Sequence, residues 1–338
     1  MKIDVHTHIM PLKIPNWAKK FDYGGFISLQ ESKPGYANMM QDDKFFREVY
    51  CNCWDCQIRQ QEMDKFNVDI QVLSTIPVLF NYWAKPEHCH ETSRFFNDHI
   101  AESVASAPKR FIGLGTIPMH DANLAINEMQ RIKEELKLNG IEIGTNINGM
   151  NLDDPQLFPI LLAAEEMNLP IFIHPWDMLG GDRVQKYWGK WLISMPIETT
   201  LAITSLVFGG VLDKLPNLKV LFAHGGGSFP GTLGRIMHGY EMRPDLVQVN
   251  TTTSPKDVFG KIYFDSLTHD ATMLKYLVEL AGSEFVCLGT DYPFPLGELS
   301  PGELIESIQE FDQVTKNNLL YQAALNWLGL TKEEITNR

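Results

Sequence analysis

The first β-rich run of the chain, KIDVHTHI at 2–9, carries His6 and His8 two residues apart. On a strand that spacing puts both imidazoles on one face together with Asp4, and an imidazole pair at a strand end can chelate a divalent metal. Such a pair is common by chance and decides nothing alone. Three further β-rich runs end in the same residue types: His174 closes PIFIH, His224 closes KVLFAH and Asp291 closes FVCLGTD. Five scattered core residues would each need a buried polar partner, so their concentration at strand ends argues for a shared ligand instead. The chemistry open to such a set is a metal that activates water, with a spare imidazole as base. The residues themselves do not separate ligand from base.

These side chains converge only if their strands stand side by side. Eight β-rich runs, at 2–9, 69–75, 111–118, 140–146, 170–174, 219–224, 261–266 and 285–291, alternate with helical stretches. The helices are expected at 55–66, 87–106, 121–136, 154–167, 197–212, 228–241, 270–281 and 301–328. Repeated β-α units predict a (β/α)8 TIM barrel spanning 1–338 as one domain, with the site at the carboxyl ends of the strands. An open doubly wound sheet is the alternative. It would announce itself by a glycine-rich first turn, where Met10-Pro11 stands instead. The segment 10–54 exceeds an ordinary β-α loop and is expected to form a small insertion lobe over the carboxyl-end face.

Composition narrows the partners. With 338 residues, 44% hydrophobic and 21% charged, the chain can bury a large core. Its 29 Lys+Arg against 42 Asp+Glu give a net charge of -13, which disfavours nucleic acid and anionic membranes. The amino terminus lacks a signal-peptide pattern and no run of about 18 apolar residues is evident, so a cytoplasmic protein is expected. Cys51, Cys53 and Cys56 in CNCWDC lack a nearby fourth zinc ligand and are read as reduced structural thiols. The run His88-Cys89-His90 is read the same way, because residues two apart on a helix diverge.

Taken together, Asp4-Val5-His6-Thr7-His8, His174-Pro175-Trp176-Asp177, His224-Gly225-Gly226-Gly227 and Gly289-Thr290-Asp291-Tyr292-Pro293 resemble the decarboxylase branch of the amidohydrolase superfamily. YGG at 23–25, YWAKP at 82–86 and DYPFPLGE at 291–298 extend that resemblance over nearly the whole chain. The resemblance implies one Zn2+ per subunit held by His6, His8, His174 and Asp291 with water as a further ligand, and His224 as a base beside that water. It also implies non-oxidative loss of carbon dioxide from an unsaturated dicarboxylate of aromatic amino-acid breakdown. Hydroxide addition to the double bond, protonation of the neighbouring carbon and carbon dioxide loss are the expected steps, their order open.

Arg47 in FFREVY and Arg235 in GTLGR match the family's carboxylate-binding arginines. A guanidinium suits that task because it binds a carboxylate through two parallel hydrogen bonds. The family takes the second arginine from the neighbouring subunit, so a homodimer is implied. Gln41 replaces a family lysine, leaving Lys44 as the nearest cation. The fourth run, GIEIGTN, has Glu142 where two-metal hydrolases carry a bridging lysine, which favours a single ion. Trp176, Met178, Trp191 and Phe294 flank the motifs and are expected to wall the pocket, with plain core filling as the alternative. Competing activities on the same fold are a hydroxybenzoate-type decarboxylase and a lactone hydrolase.

Overall fold

The computed structural model describes residues 1–337. All eight β-rich runs form strands. In chain order the strands are β1 (Ile3–His8), the lobe strands β2 (Ile27–Lys33), β3 (Tyr36–Gln41) and β4 (Lys44–Tyr50), then β5 (Ile70–Ser74), β6 (Phe111–Gly115) and β7 (Gly140–Gly144). A short hairpin, β8 (Asn146–Ile147) and β9 (Met150–Asn151), precedes β10 (Ile171–His174), β11 (Val220–Phe222), β12 (Tyr263–Asp265) and β13 (Val286–Cys287).

Eight of these make one sheet in the order β1-β5-β6-β7-β10-β11-β12-β13. Every pairing in it is parallel. The ring is brought round by the Val5 amide, which donates to the Leu288 carbonyl at 2.9 Å, and the His8 amide, which donates to the Tyr292 carbonyl at 2.8 Å. The eight barrel strands are buried along their whole length, which is why they read as continuous apolar runs rather than alternating ones. Helices cover the outside, and Phe172 sits inside, with the His6 ring edge-on to it at 4.8 Å.

Seven of the expected helices form near their expected places. Asp55, Asp121 and Asp270 start three of them by accepting hydrogen bonds from first-turn amides, which satisfies donors that have no intrahelical partner. The eighth does not form as expected. Instead of one helix over 301–328, the chain makes Glu303–Ser307, Gln313–Asn317, a π-helical turn Asn318–Gln322 and Ala323–Leu328. Ile308 is extended, and Asp312 caps a new start by accepting from the Thr315 amide. A second correction concerns apolar length. Lys190–Phe208 is long and apolar enough by length and composition to cross a bilayer, but half of it is buried inside the protein, so the apolar side serves the core.

The insertion folds as an antiparallel sheet of β2, β3 and β4. Met39 and Arg47 are cross-strand partners in it, and both face a cavity shared with His8, His174 and Asp291. Two of the three lobe strands, β3 and β4, thus contribute to the wall of that cavity.

Candidate metal centre

The ligand atoms of His6, His8, His174 and Asp291 lie within 4.8 Å of one another. β1 supplies the first two, β10 ends in the third, and the loop after β13 supplies the carboxylate. Each imidazole is oriented from behind. His6 Nδ1 is 2.7 Å from Asp265 Oδ2, His8 Nδ1 2.8 Å from the Thr75 carbonyl, and His174 Nδ1 3.0 Å from the Pro175 carbonyl. Carbonyl and carboxylate oxygens only accept, so each Nδ1 donates and Nε2 is the nitrogen left to face a cation. All three Nε2 atoms are buried without a hydrogen-bond partner. Orphaned polar atoms of this kind cost about 1–3 kcal/mol each, and a cation among them removes that cost. Three nitrogens and one carboxylate oxygen fit a divalent transition metal.

The local field agrees. Burial pushes the Asp291 carboxyl upward, but the imidazoles of His224, His6 and His8 beside it outweigh that and hold the group well below the usual carboxylate range. Burial alone would lower His6, yet Asp265 and Asp291 on either side raise it to about 10. That is the negative field a divalent cation neutralises. Burial lowers His8 and lowers His174 strongly, leaving both as neutral donors.

His224 stands outside this set. Its Nε2 is 3.9 Å from Asp291 Oδ2, and its ring centroid lies 5.2 Å from that of His6 and 5.1 Å from that of His174. Geometry thus separates it from the four donors, which sequence reading alone could not do. The turn that carries it is unusual: His224, Gly225, Gly226 and Gly227 have φ of 56°, 60°, 78° and 63°. A Cβ on Gly227 would lie 2.3 Å from the Pro196 carbonyl oxygen, so the turn admits only glycine there.

In front of the donors a cavity is walled by Trp176, Trp191 and Phe294, with Arg47 at its edge. The Arg47 guanidinium lies 4.9 Å from the Phe294 ring and 5.7 Å from Trp191, with no carboxylate at ion-pair distance among the described residues. Burial lowers its pKa, as expected of a cation short of counter-charge. Past Trp191 and Asp291 a second cavity of about 330 Å³ is bordered by His224 and His269.

Three expected site residues lie elsewhere. Met178 is half-buried and lines neither cavity. Lys44 is exposed at the β3–β4 hairpin, opposite Gln41. Arg235 is exposed on the outer helix Phe229–Met242, away from the cavities of its own chain. Sequence reading missed Met39, Phe46, Trp188 and Met195 in the cavity wall. It also missed Asp265 behind His6, although KIYFDS ends at the same barrel face as the other motifs. Glu142 is buried 3.7 Å from His8 Nδ1, with neither carboxylate oxygen hydrogen-bonded. All five cysteines are free, and CNCWDC forms no metal-binding group among the described residues.

Comparison with known proteins places the chain. It is 56% identical over 330 residues to 2-amino-3-carboxymuconate-6-semialdehyde decarboxylase of Dictyostelium discoideum, covering 98% of this chain and 92% of that one. It is 35% identical to the Caenorhabditis elegans enzyme of the same name, covering 100% and 96%. A dihydroxybenzoic acid decarboxylase from a Polaromonas species, solved with manganese and an inhibitor, superposes with a TM-score of 0.79 at 21% identity, over 99% and 98% of the two chains. A model of the amidohydrolase family matches residues 3–330, and the chain belongs to that family.

Proposed function

We infer that the chain is a metal-dependent carboxy-lyase that removes carbon dioxide, without oxidation, from 2-amino-3-carboxymuconate 6-semialdehyde. The observation that carries this reading is the meeting of four metal donors and a separate imidazole where two cavities adjoin at Asp291 and Trp191, the first of them holding an unpaired arginine. The named substrate of the relatives bears two carboxylates, and Arg47 is a cation without a counter-ion where one of them would sit.

His6, His8, His174 and Asp291 would hold the ion, and we assign Zn2+ because borderline imidazole-rich sites favour it over harder metals. When bound, zinc supplies Lewis acidity and makes water acidic enough to ionise near neutral pH. His224 would act as the base, holding a proton at Nε2, 3.9 Å from Asp291 Oδ2, whose charge would steady the imidazolium. Arg47 grips one carboxylate and fixes the substrate's direction. Trp176, Trp191 and Phe294 exclude bulk water, which strengthens each of these charge interactions.

Arg235 belongs to the same reading as a residue given to the partner's site in a homodimer. Its helix and the helix Pro244–Val247 after it leave Met242 and Leu246 more than 60% exposed, apolar surface suited to a second copy. Five free cysteines suit a reducing, cytosolic setting. The test is direct: zinc-loaded protein given freshly made semialdehyde should consume its absorbance and release carbon dioxide. Inertness would overturn the reading, and faster turnover of a dihydroxybenzoate would transfer it to the aromatic acid decarboxylases.

A further inference from the structure

Asp265, at the end of β12, is fully buried and has both carboxylate oxygens committed. Oδ2 lies 2.7 Å from His6 Nδ1 and accepts from the His224 amide at 2.9 Å. Oδ1 accepts from the Gly225 amide at 2.7 Å and the Leu267 amide at 3.1 Å. Four donors thus converge on one side chain, about the full accepting capacity of a carboxylate. Two of them are the successive amides of His224 and Gly225, which open the left-handed turn His224–Gly227 and together form a small anion seat. Asp265 fills that seat from within the protein.

Its position is held as tightly as its oxygens. A Cβ on Gly289 would fall 2.7 Å from Asp265 Cβ and 2.9 Å from His6 Cβ, so the loop after β13 packs directly against both. The side chain cannot swing away to satisfy one set of donors at the expense of the other.

We propose that Asp265 is a positioning residue that joins His6 and the turn bearing His224 into one rigid unit, so that ligand and base share a reference point. This rests on His6 being a ligand and His224 the base. An amide at 265 would offer a single acceptor oxygen to donors on two sides and aim its own N–H groups at the rest. Both ends of the unit should then loosen together.

The test is Asp265→Asn in the zinc-loaded protein, read three ways. Zinc release to a chelator should quicken about 10- to 100-fold, the range for losing a partner behind a metal-bound imidazole. Exchange of the His224 and Gly225 amides, expected to be slow in the wild type, should quicken in parallel. With zinc in saturating excess, kcat should stay depressed on the order of 100-fold with KM nearly unchanged, because a misplaced base is not restored by metal. Unchanged zinc release, or unchanged amide exchange, in a folded variant overturns the proposal, since either leaves the two ends uncoupled. Should the variant not fold, fast exchange of those two amides in the wild type would overturn it equally, and slow exchange would support it. The zinc and exchange readings need no substrate, so failure of the proposed activity would show separately.

Discussion

At the scale of single residues, Arg47 carries the largest commitment to function over stability. It is a mostly buried cation packed on Phe294 and Trp191 with no carboxylate of its own, an arrangement that costs stability and is relieved by an anionic substrate. Arg47→Met keeps the stem and removes the charge. The midpoint of thermal unfolding should hold or rise, while kcat/KM for the dicarboxylate falls on the order of 100-fold through KM. A fall in stability with KM unchanged would show a structural arginine instead. The cysteines make the opposite case. Burial pushes the Cys53 and Cys89 thiols up to about 12, and Cys287 is also buried. A thiol reagent should label Cys51 and Cys56 in the native protein and reach the other three only after unfolding. Rapid native labelling of Cys89 would contradict the packing described.

The four residues that converge were legible because period-two spacing and strand ends are local properties. Asp265 was not, because an aspartate after a strand is common and only the closed ring brings it behind an imidazole more than 250 positions away in sequence. Met178 sits in a loop, where adjacency to a motif does not fix where a side chain points, and Lys44 opens β4 at the exposed hairpin end of the lobe, outside the cavity wall.

At the scale of elements, the eight barrel strands could be read because strands buried on both faces are short apolar blocks with polar ends. The break in 301–328 could not, since amphipathic composition continues across 308–312 and the interruption is made by tertiary packing and a new cap at Asp312. Elements here are also stitched by polar groups that periodicity does not reveal. Arg59, fully buried on the helix Cys56–Lys65, donates to the His8 carbonyl at 2.7 Å, the Asn52 carbonyl at 3.0 Å and Gln71 Oε1 at 3.2 Å. Its guanidinium lies 4.7 Å from the Tyr292 ring, so one side chain ties the end of β1, the exit of the lobe and the residue after Asp291. Arg59→Met should destabilise the fold by about 3 kcal/mol, because the buried His8 carbonyl and Gln71 Oε1 lose a charged donor. Zinc affinity should fall as well, since His8 and Asp291 flank the lost contacts. Chemical unfolding read alongside zinc titration checks both, and a stability loss with intact zinc affinity would confine Arg59 to the scaffold.

At the scale of the whole molecule, one protomer offers a cavity with a single arginine and leaves Arg235 exposed on an outer helix. A dicarboxylate gripped at both ends needs a second cation. The acidic balance of the chain, 42 Asp+Glu against 29 Lys+Arg, supplies no general positive field in its place. If the partner's Arg235 completes each site, the two defects Arg235→Ala and His224→Ala fall in the same site of a mixed dimer. Each mixed dimer then has one site with both residues intact and one with neither. Random exchange of equal amounts makes half the dimers mixed, so activity should recover to about a quarter of wild type, from near zero in either parent. An arginine serving its own subunit predicts no recovery at any mixing ratio. The unmixed parents matter as well, because turnover well above zero in the His224→Ala dimer before mixing would mean that His224 is not the base.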